Sequence, residues 1–556
     1  MDGQDRAAAA GSPLTDWVHR PRPDAAVRFA GPGDGWDEWS YERLAEGARR
    51  VAAGLRSAGT ADGDTVVIVE PTGPRFIQLY FGAMVAGAVP VPTAPPAFGQ
   101  DLTGYARALA HLVGRAAPRM VVTSAALAGQ LAGLVPPPVP VRVDDDVIAT
   151  ADPGPWPGWA PAELAMLQFT SGSTRAPRGV RVPVPALEAN VAAIARWLRM
   201  RPEDPTASWL PMHHDMGLIG CLITPVVRQS DLWLLSPEQF VRSPLRYLRC
   251  FGVHGARLTA MPTFGLEHVA RKVRPQDLDG MDFSAWRAVI VGAERVGAGA
   301  VERFVRLLAP YGLDPRAILP AYGLAEATLA VTGLPLDELW TSVPLDPRRV
   351  VLDGPVPLAP ETGGALVGSG RPLDGIRVTV VDRDGRELPE DHVGEIVVDG
   401  PCLTDGYHNE PPDADTGRRD GPLVTGDAGF LHDGELFVLG RIGDSVKVRG
   451  RTLLAEDVEA ALESAGLPRH RQTVLLGMRG DRPTAVVVVE QADPLRLEAA
   501  QGLVGRVTEG ADLVFVRAGV GTIPRTTSGK PKRRELWRIF LTGQLTTAAA
   551  HSEDPS

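Results

Sequence analysis

Helical and strand patterns alternate along most of this chain, and that rhythm restricts the fold more than any other feature. Residues 39–55 place Leu44, Ala48, Val51 and Leu55 on one helical face. The β-branched run 64–69 follows, and residues 76–86 return to a helical pattern. Further on, the strand-like run 179–184 precedes Leu187, Val191, Ile194 and Leu198, again one helical face. Repeated alternation of this kind predicts parallel sheets built from strand–helix–strand units. At 556 residues the chain exceeds the about 250–300 residues that one core supports, so two or more domains are expected. The expected fold class is α/β, with a large N-terminal α/β domain of several subdomains and a small α+β C-terminal domain.

The texture changes near residue 440, where short β-like runs give way to a more charged α+β unit. The expected layout is a flexible tail over residues 1–13, an N-terminal domain over 14–440, a C-terminal domain over 441–545 and a second tail over 546–556. Residues 341–368 break the rhythm: they are rich in Pro and Gly and read as an insertion between ordered units.

Composition removes several function classes. Hydrophobic residues at 44% and charged residues at 22% exclude a disordered or membrane-embedded chain. A net charge of −10 gives no global reason to bind nucleic acid. The chain has no long apolar run and no apolar leader, which points to no membrane span and a cytoplasmic location. Cys221, Cys250 and Cys402 form no CxxC pair, which argues against a disulfide framework or a zinc site.

The strongest local signal is Thr170-Ser171-Gly172-Ser173-Thr174-Arg175-Ala176-Pro177-Arg178-Gly179, entered from the strand-like Leu167-Gln168-Phe169. Glycines let backbone N–H groups approach an anion, hydroxyls donate hydrogen bonds, and arginines bring fixed charge. Such a loop suits a polyphosphate, although an ordinary Ser/Gly turn has the same composition. It is not the P-loop pattern, since Pro177 replaces the second glycine and no lysine follows.

This segment resembles the phosphate-binding signature of the adenylate-forming, or acyl-activating, superfamily, with Arg178 where that family usually has lysine. Other signatures follow in family order. Ser208–Gly220, containing Met212, His214, Gly217 and Gly220, is similar to the segment that gates the acyl pocket, to which Met261 is added as a wall. Gly292-Ala293-Glu294 resembles the adenine-contacting turn. Ala321-Tyr322-Gly323 through Glu326 resembles the adenine-stacking and magnesium-binding motif. Gly394-Glu395-Ile396 and Gly406-Tyr407 match the next stretch, and Thr425-Gly426-Asp427 resembles a ribose-chelating turn. Gly440-Arg441-Ile442-Gly443-Asp444 resembles an interdomain hinge, with Gly443 where Asp or Lys is commoner. The segment ending Ser528-Gly529-Lys530 resembles the catalytic-lysine loop.

Within the superfamily the wording of these motifs is most like the fatty acyl-AMP ligases, whose extra segment corresponds to residues 341–368. The resemblance implies ATP and Mg²⁺ as cofactors, a fatty or related carboxylic acid as substrate, and a mobile C-terminal lid. The acyl acceptor it implies is the phosphopantetheine thiol of an acyl carrier protein, in lipid metabolism or in polyketide or lipopeptide biosynthesis. It further implies that Lys530, His214 and Arg178 are catalytic and that Glu326 is the metal ligand. Thr170 to Thr174, Gly292 to Glu294, Ala321 to Gly323, Asp427 and Arg441 would bind nucleotide. Two alternatives stay open: an acyl-CoA synthetase, and a degenerate nucleotide- or acyl-binding protein.

Overall fold

A computed structural model describes residues 12–96, 102–149, 162–170, 177–360, 364–410, 421–480, 482–491, 493–526 and 529–545. The main sheet has a parallel core. Its strands run in the order Ala26–Ala30, Leu232–Leu234, Thr206–Ser208, Leu258–Met261, Ala288–Val291 and Ile318–Gly323. Antiparallel strands close both edges, Trp36–Ser40 on one side and Ala330–Gly333 with Arg371–Pro372 on the other. A second, wholly parallel sheet orders Val89–Thr93, Thr65–Val69, Met120–Thr123 and Val141–Val143. The helices Tyr41–Ser57 and Pro74–Val85 share one buried cluster with residues of both sheets, so each helix is apolar on more than one side. The first begins at Tyr41 rather than at residue 39, because Trp39 and Ser40 complete a strand and the Ser40 hydroxyl accepts from Arg43 N–H as an N-cap.

A four-stranded antiparallel sheet follows: Arg377–Val381, Gly394–Asp399, Leu423–His432 and Glu435–Arg441. The C-terminal part starts after the 3₁₀ turn Ile442–Asp444. It contains the strands Gln472–Arg479, Arg482–Glu490 and Asp512–Ala518, with the helices Ala455–Ser464 and Pro494–Val507 in one apolar cluster. The helix Arg533–Leu541 contributes Leu536 to a separate cluster on the other side of this sheet. Cys221, Cys250 and Cys402 are free and buried. Among the described residues, no helix is long and apolar enough to cross a membrane.

Residues 341–368 hold more structure than their composition suggests. Ser342–Leu345 pairs antiparallel with Gly364–Val367. Val343, Leu345, Val350 and Leu366 are buried in one cluster with Phe430, Phe437 and Leu454. Leu454 belongs to the strand Arg451–Leu454 beyond the turn Ile442–Asp444, and Thr452 N–H donates to Val350 O at 2.9 Å. The segment therefore touches residues on both sides of the Ile442–Asp444 turn.

Candidate active site

Most candidate residues collect where the parallel strands of the main sheet end, the usual place for ligands in such sheets. Gly292 and Ala321 follow the register of two neighbouring strands, Ala288–Val291 and Ile318–Gly323. A Cβ at Gly292 would lie 2.9 Å from Ala321 O, and one at Gly323 would lie 1.9 Å from Leu329 O. Only glycine lets these backbones approach so closely. Ala293, between Gly292 and Glu294, has φ of 67°. The Glu294 carboxylate turns away to cap Phe264 N–H at 3.3 Å, and lies 3.8 Å from Arg469 of the C-terminal part.

Tyr322, Asp427 and Arg441 form one connected set. Asp427 and Arg441 are direct cross-strand partners, so the antiparallel ladder places them side by side. Tyr322 donates its hydroxyl to Asp427 Oδ2 at 2.6 Å, and Arg441 Nε lies 2.7 Å from Asp427 Oδ1. Burial, then the Asp427 charge, raises the Tyr322 phenol well above its ordinary value, so it stays a donor. The result is a rigid carboxylate at the rim of the site, suited to accepting hydrogen bonds from a diol.

Thr170 and Arg178 close the base of the phosphate-loop candidate: Thr170 N–H donates to Arg178 O at 2.9 Å, and Arg178 N–H to Thr170 Oγ1 at 3.2 Å. Ser171, Gly172, Ser173 and Thr174 lie outside the described residues. The Arg178 side chain is engaged with Glu410, Nε to Oε2 at 2.6 Å. Glu326 sits on the 3₁₀ turn Ala325–Ala327, where Oε1 accepts from the Tyr407 hydroxyl at 2.6 Å. Among the described residues, no three His, Cys, Asp or Glu side chains cluster as a metal site. A magnesium ion that keeps its waters and takes phosphate oxygens needs only one or two carboxylates, so a single hard donor at Glu326 fits that ion.

The segment 211–215 turns into a π-helix, Met216–Ile223, a rare form concentrated at functional sites. His214 Nδ1 lies 2.7 Å from Asp215 Oδ1. Burial opposes charge on Asp215, but His214 and the Lys530 ammonium outweigh it and hold the carboxyl at about 2. The Lys530 charge, from the C-terminal part, is thus felt at this segment. Its loop is a tight turn: Thr526 N–H donates to Lys530 O at 2.8 Å, and Lys530 N–H returns to Thr526 Oγ1 at 3.1 Å. Gly529, at φ 82°, makes that turn possible. His213 is different: burial, with His214 beside it, pulls its imidazole down to about 3, a neutral ring.

The candidate acyl walls lie along the seam between two core clusters. Met212 belongs to one core cluster and Met261 to the other. The π-helix spans the seam, contributing Leu218 and Ile219 to the first and Met216 and Cys221 to the second. Gly217 packs its backbone against Pro211 O, and Gly220 faces Leu329, 3.3 Å from where a Cβ would stand. Sequence reasoning did not single out Glu410, Arg469 or the proton-bearing hydroxyl of Tyr407. Only Tyr407 carried a signal, its place beside Gly406 in a family motif.

The AMP-binding enzyme model matches residues 14–408, more than half of the chain. The chain belongs to the AMP-binding enzyme family. Within this family it is an adenylate-forming enzyme of the fatty acyl-AMP ligase type. It is 33% identical over 528 residues to a putative acyl-CoA synthetase of Caulobacter vibrioides, covering 90% of each chain. It is 30% identical over 534 residues to the long-chain-fatty-acid–AMP ligase FadD26 of Mycobacterium tuberculosis, covering 89% of this chain and 90% of that one. A solved structure from work on the fatty acyl-adenylate ligases of E. coli and L. pneumophila superposes with a TM-score of 0.88 at 28% identity. That match covers 97% of this chain and 99% of the other.

Proposed function

We propose that this enzyme joins a fatty acid to ATP, releasing pyrophosphate, and then passes the acyl group from the adenylate to the phosphopantetheine thiol of a carrier protein. The observation that carries the first step is the joined Tyr322, Asp427 and Arg441 set, with the Lys530 charge near enough to Asp215 to lower its carboxyl. The fatty carboxylate attacks the α-phosphate, so the protein chiefly positions reactants and stabilises charge. In this reading Lys530 spans carboxylate and α-phosphate, Asp427 holds the ribose hydroxyls, and Gly292 to Glu294 with Ala321 to Gly323 frame adenine. The loop from Thr170 to Thr174 holds the outer phosphates, His214 contacts the acyl carboxylate, and Glu326 holds Mg²⁺, which neutralises phosphate charge when bound. Gly217, Gly220, Met212 and Met261 border the acyl chain. The reaction belongs in the cytoplasm, and residues 14–440 and 441–545 act as body and lid.

For the second step the thiol attacks the acyl carbonyl and AMP leaves. The contacts of residues 341–368 with Thr452 and Leu454 favour the carrier as acceptor, because a segment holding the lid's first strands can limit lid rotation. A second reading, transfer to CoA, is favoured by the name of the Caulobacter relative. The test is mass spectrometry of products from ATP, Mg²⁺, a panel of fatty acids and either holo carrier or CoA. Acyl-AMP and pyrophosphate should form without thiol, and holo carrier should become acylated. A variant with residues 346–360 shortened should keep adenylation and gain acyl-CoA formation. Absence of acyl-AMP across the panel would refute the first step, and abundant acyl-CoA from the unaltered enzyme would refute the acceptor.

A further inference from the structure

We propose that Arg178 is a positioning residue for Glu326, acting through Tyr407, in place of a simple phosphate contact. The inference rests on the reading that Glu326 holds magnesium. The geometry is a four-residue stack: Glu410 accepts from Arg178 Nε at 2.6 Å, and the Arg178 guanidinium carbon stands 3.4 Å from the Tyr407 ring centroid. The Tyr407 hydroxyl then donates to Glu326 Oε1 at 2.6 Å. Arg178 and Glu410 side chains are only 11% and 14% exposed, so their pairing is shielded from water. Arg115 lies 3.7 Å from the second Glu410 oxygen and braces it.

Backbone pairing fixes this stack. Residues 405–408 run beside the strand Gly179–Pro183: Arg181 N–H donates to Gly406 O at 2.9 Å and His408 N–H to Gly179 O at 2.8 Å. The same strap grips the Glu326 turn. Thr404 N–H and Oγ1 both donate to Glu326 O, at 3.1 and 3.0 Å, and Thr328 Oγ1 donates to Cys402 O at 2.7 Å. Thr328 has φ of 66°, a strained value for a β-branched residue, which the surrounding contacts must hold. One strap thus links the exit of the phosphate loop to the turn bearing the metal carboxylate.

The chemistry explains why arginine matters here. A short O–H···O⁻ bond is charge-assisted and fixes which carboxylate oxygen faces the phosphates. A planar cation over the phenol ring is held by the ring quadrupole and polarises the hydroxyl toward donation. Lysine keeps the charge but cannot place a flat group on Tyr407 while presenting a directed N–H to Glu410. Arg178→Lys is therefore not conservative at this position.

The test is Mn²⁺ titration of the enzyme–ATP complex without fatty acid, followed by electron paramagnetic resonance. Groups that orient a metal ligand change affinity by about 10–100-fold when removed. Tyr407→Phe and Arg178→Lys should each weaken Mn²⁺ by a factor in that range, about 10-fold or more, and the double variant by no more than the worse single one. For Tyr407→Phe, adenylation kcat should recover at saturating Mg²⁺ and the melting temperature should stay near wild type, since that change removes a single oxygen. Glu326→Gln separates the two readings. If it weakens Mn²⁺ while Tyr407→Phe and Arg178→Lys do not, the relay is wrong and the magnesium reading stands. If Glu326→Gln leaves Mn²⁺ binding unchanged, both fall. Loss of ATP affinity in EDTA by Arg178→Lys, with Mn²⁺ affinity intact, would return Arg178 to the phosphates.

Discussion

Replacing Arg295 by Met should release the C-terminal part from the body without unfolding either. Arg295 Nη1 lies 2.7 Å from Asp457 Oδ1, with side-chain exposures of 16% and 1%. The pair spans the domain boundary, and Arg469 adds a second link by donating to Arg295 O at 2.7 Å. Burial pushes the Asp457 carboxyl up, and Arg295 is the largest influence pulling it back. Removing one partner of a buried pair costs about 3–5 kcal/mol, chiefly through the charge left behind. Undocking of the C-terminal part would hydrate Asp457, so the cost is expected to fall on docking rather than on folding. At about 1.4 kcal/mol per tenfold, docking weakens by roughly two to three and a half powers of ten. Hydrogen–deuterium exchange reads this directly as faster exchange of the amides over residues 293–297 and 455–470, with the strand cores unchanged. Pyrophosphate exchange should fall as well, because Lys530 leaves the site with the lid. The swap of Arg295→Asp with Asp457→Arg should recover part of both. Unchanged protection over both segments in Arg295→Met would refute the idea that this pair holds the lid.

Two further outcomes are expected. Lys530→Ala should lower the adenylation rate by about 10²–10³-fold while changing ATP affinity little, since the contact is made mainly to developing charge. Wild-type pyrophosphate exchange at saturating substrates would remove Lys530 from the mechanism. Glu70→Gln should stabilise the protein in a pH-dependent way. Burial, then Asp144 and, more weakly, Asp145, lift the Glu70 carboxyl to about 8 against an opposing Arg75, and the residue is 5% exposed. A folded-state value above the unfolded one means no cost below the ordinary value of 4.5 and a growing cost as pH rises toward 8. The variant should match wild type near pH 4 and exceed it by up to about 3 kcal/mol at pH 7 in chemical denaturation. Equal stability at both pH values would refute the assignment.

Alternating periodicity, glycine chemistry and hydroxyl-rich loops act over a few residues, so they were legible before any coordinates. The strand–helix rhythm of residues 39–86 reappears as Trp36–Ser40, Tyr41–Ser57, Thr65–Val69 and Pro74–Val85. The Asp427–Arg441 pair was also within reach, because both lie on one hairpin and its ladder sets them opposite each other. Residues 341–368 read as an insertion between ordered units, and what the spacing did not give is that their short apolar groups pair and bury against Phe430 and Phe437, partners that lie far along the chain. The walls assigned to the acyl pocket come from two different core clusters, which no local spacing records.

What the sequence determined by itself is the set of chemical parts and their order along the chain: a loop able to hold phosphates, a lone carboxylate at Glu326, a lysine loop near the end. What only the tertiary structure decided is which of these parts meet. Arg178 looked like a phosphate contact because a cation in a hydroxyl-rich loop has that use. Among its partners are Glu410 and Tyr407, more than two hundred positions away, reached because residues 402–410 return beside Gly179–Pro183. Likewise the Lys530 charge acts on Asp215 because the C-terminal part packs against the preceding residues through Arg295 and Arg469. Local propensity is set by neighbours along the chain, whereas a side chain's charge partner is set by whichever surface packing brings against it.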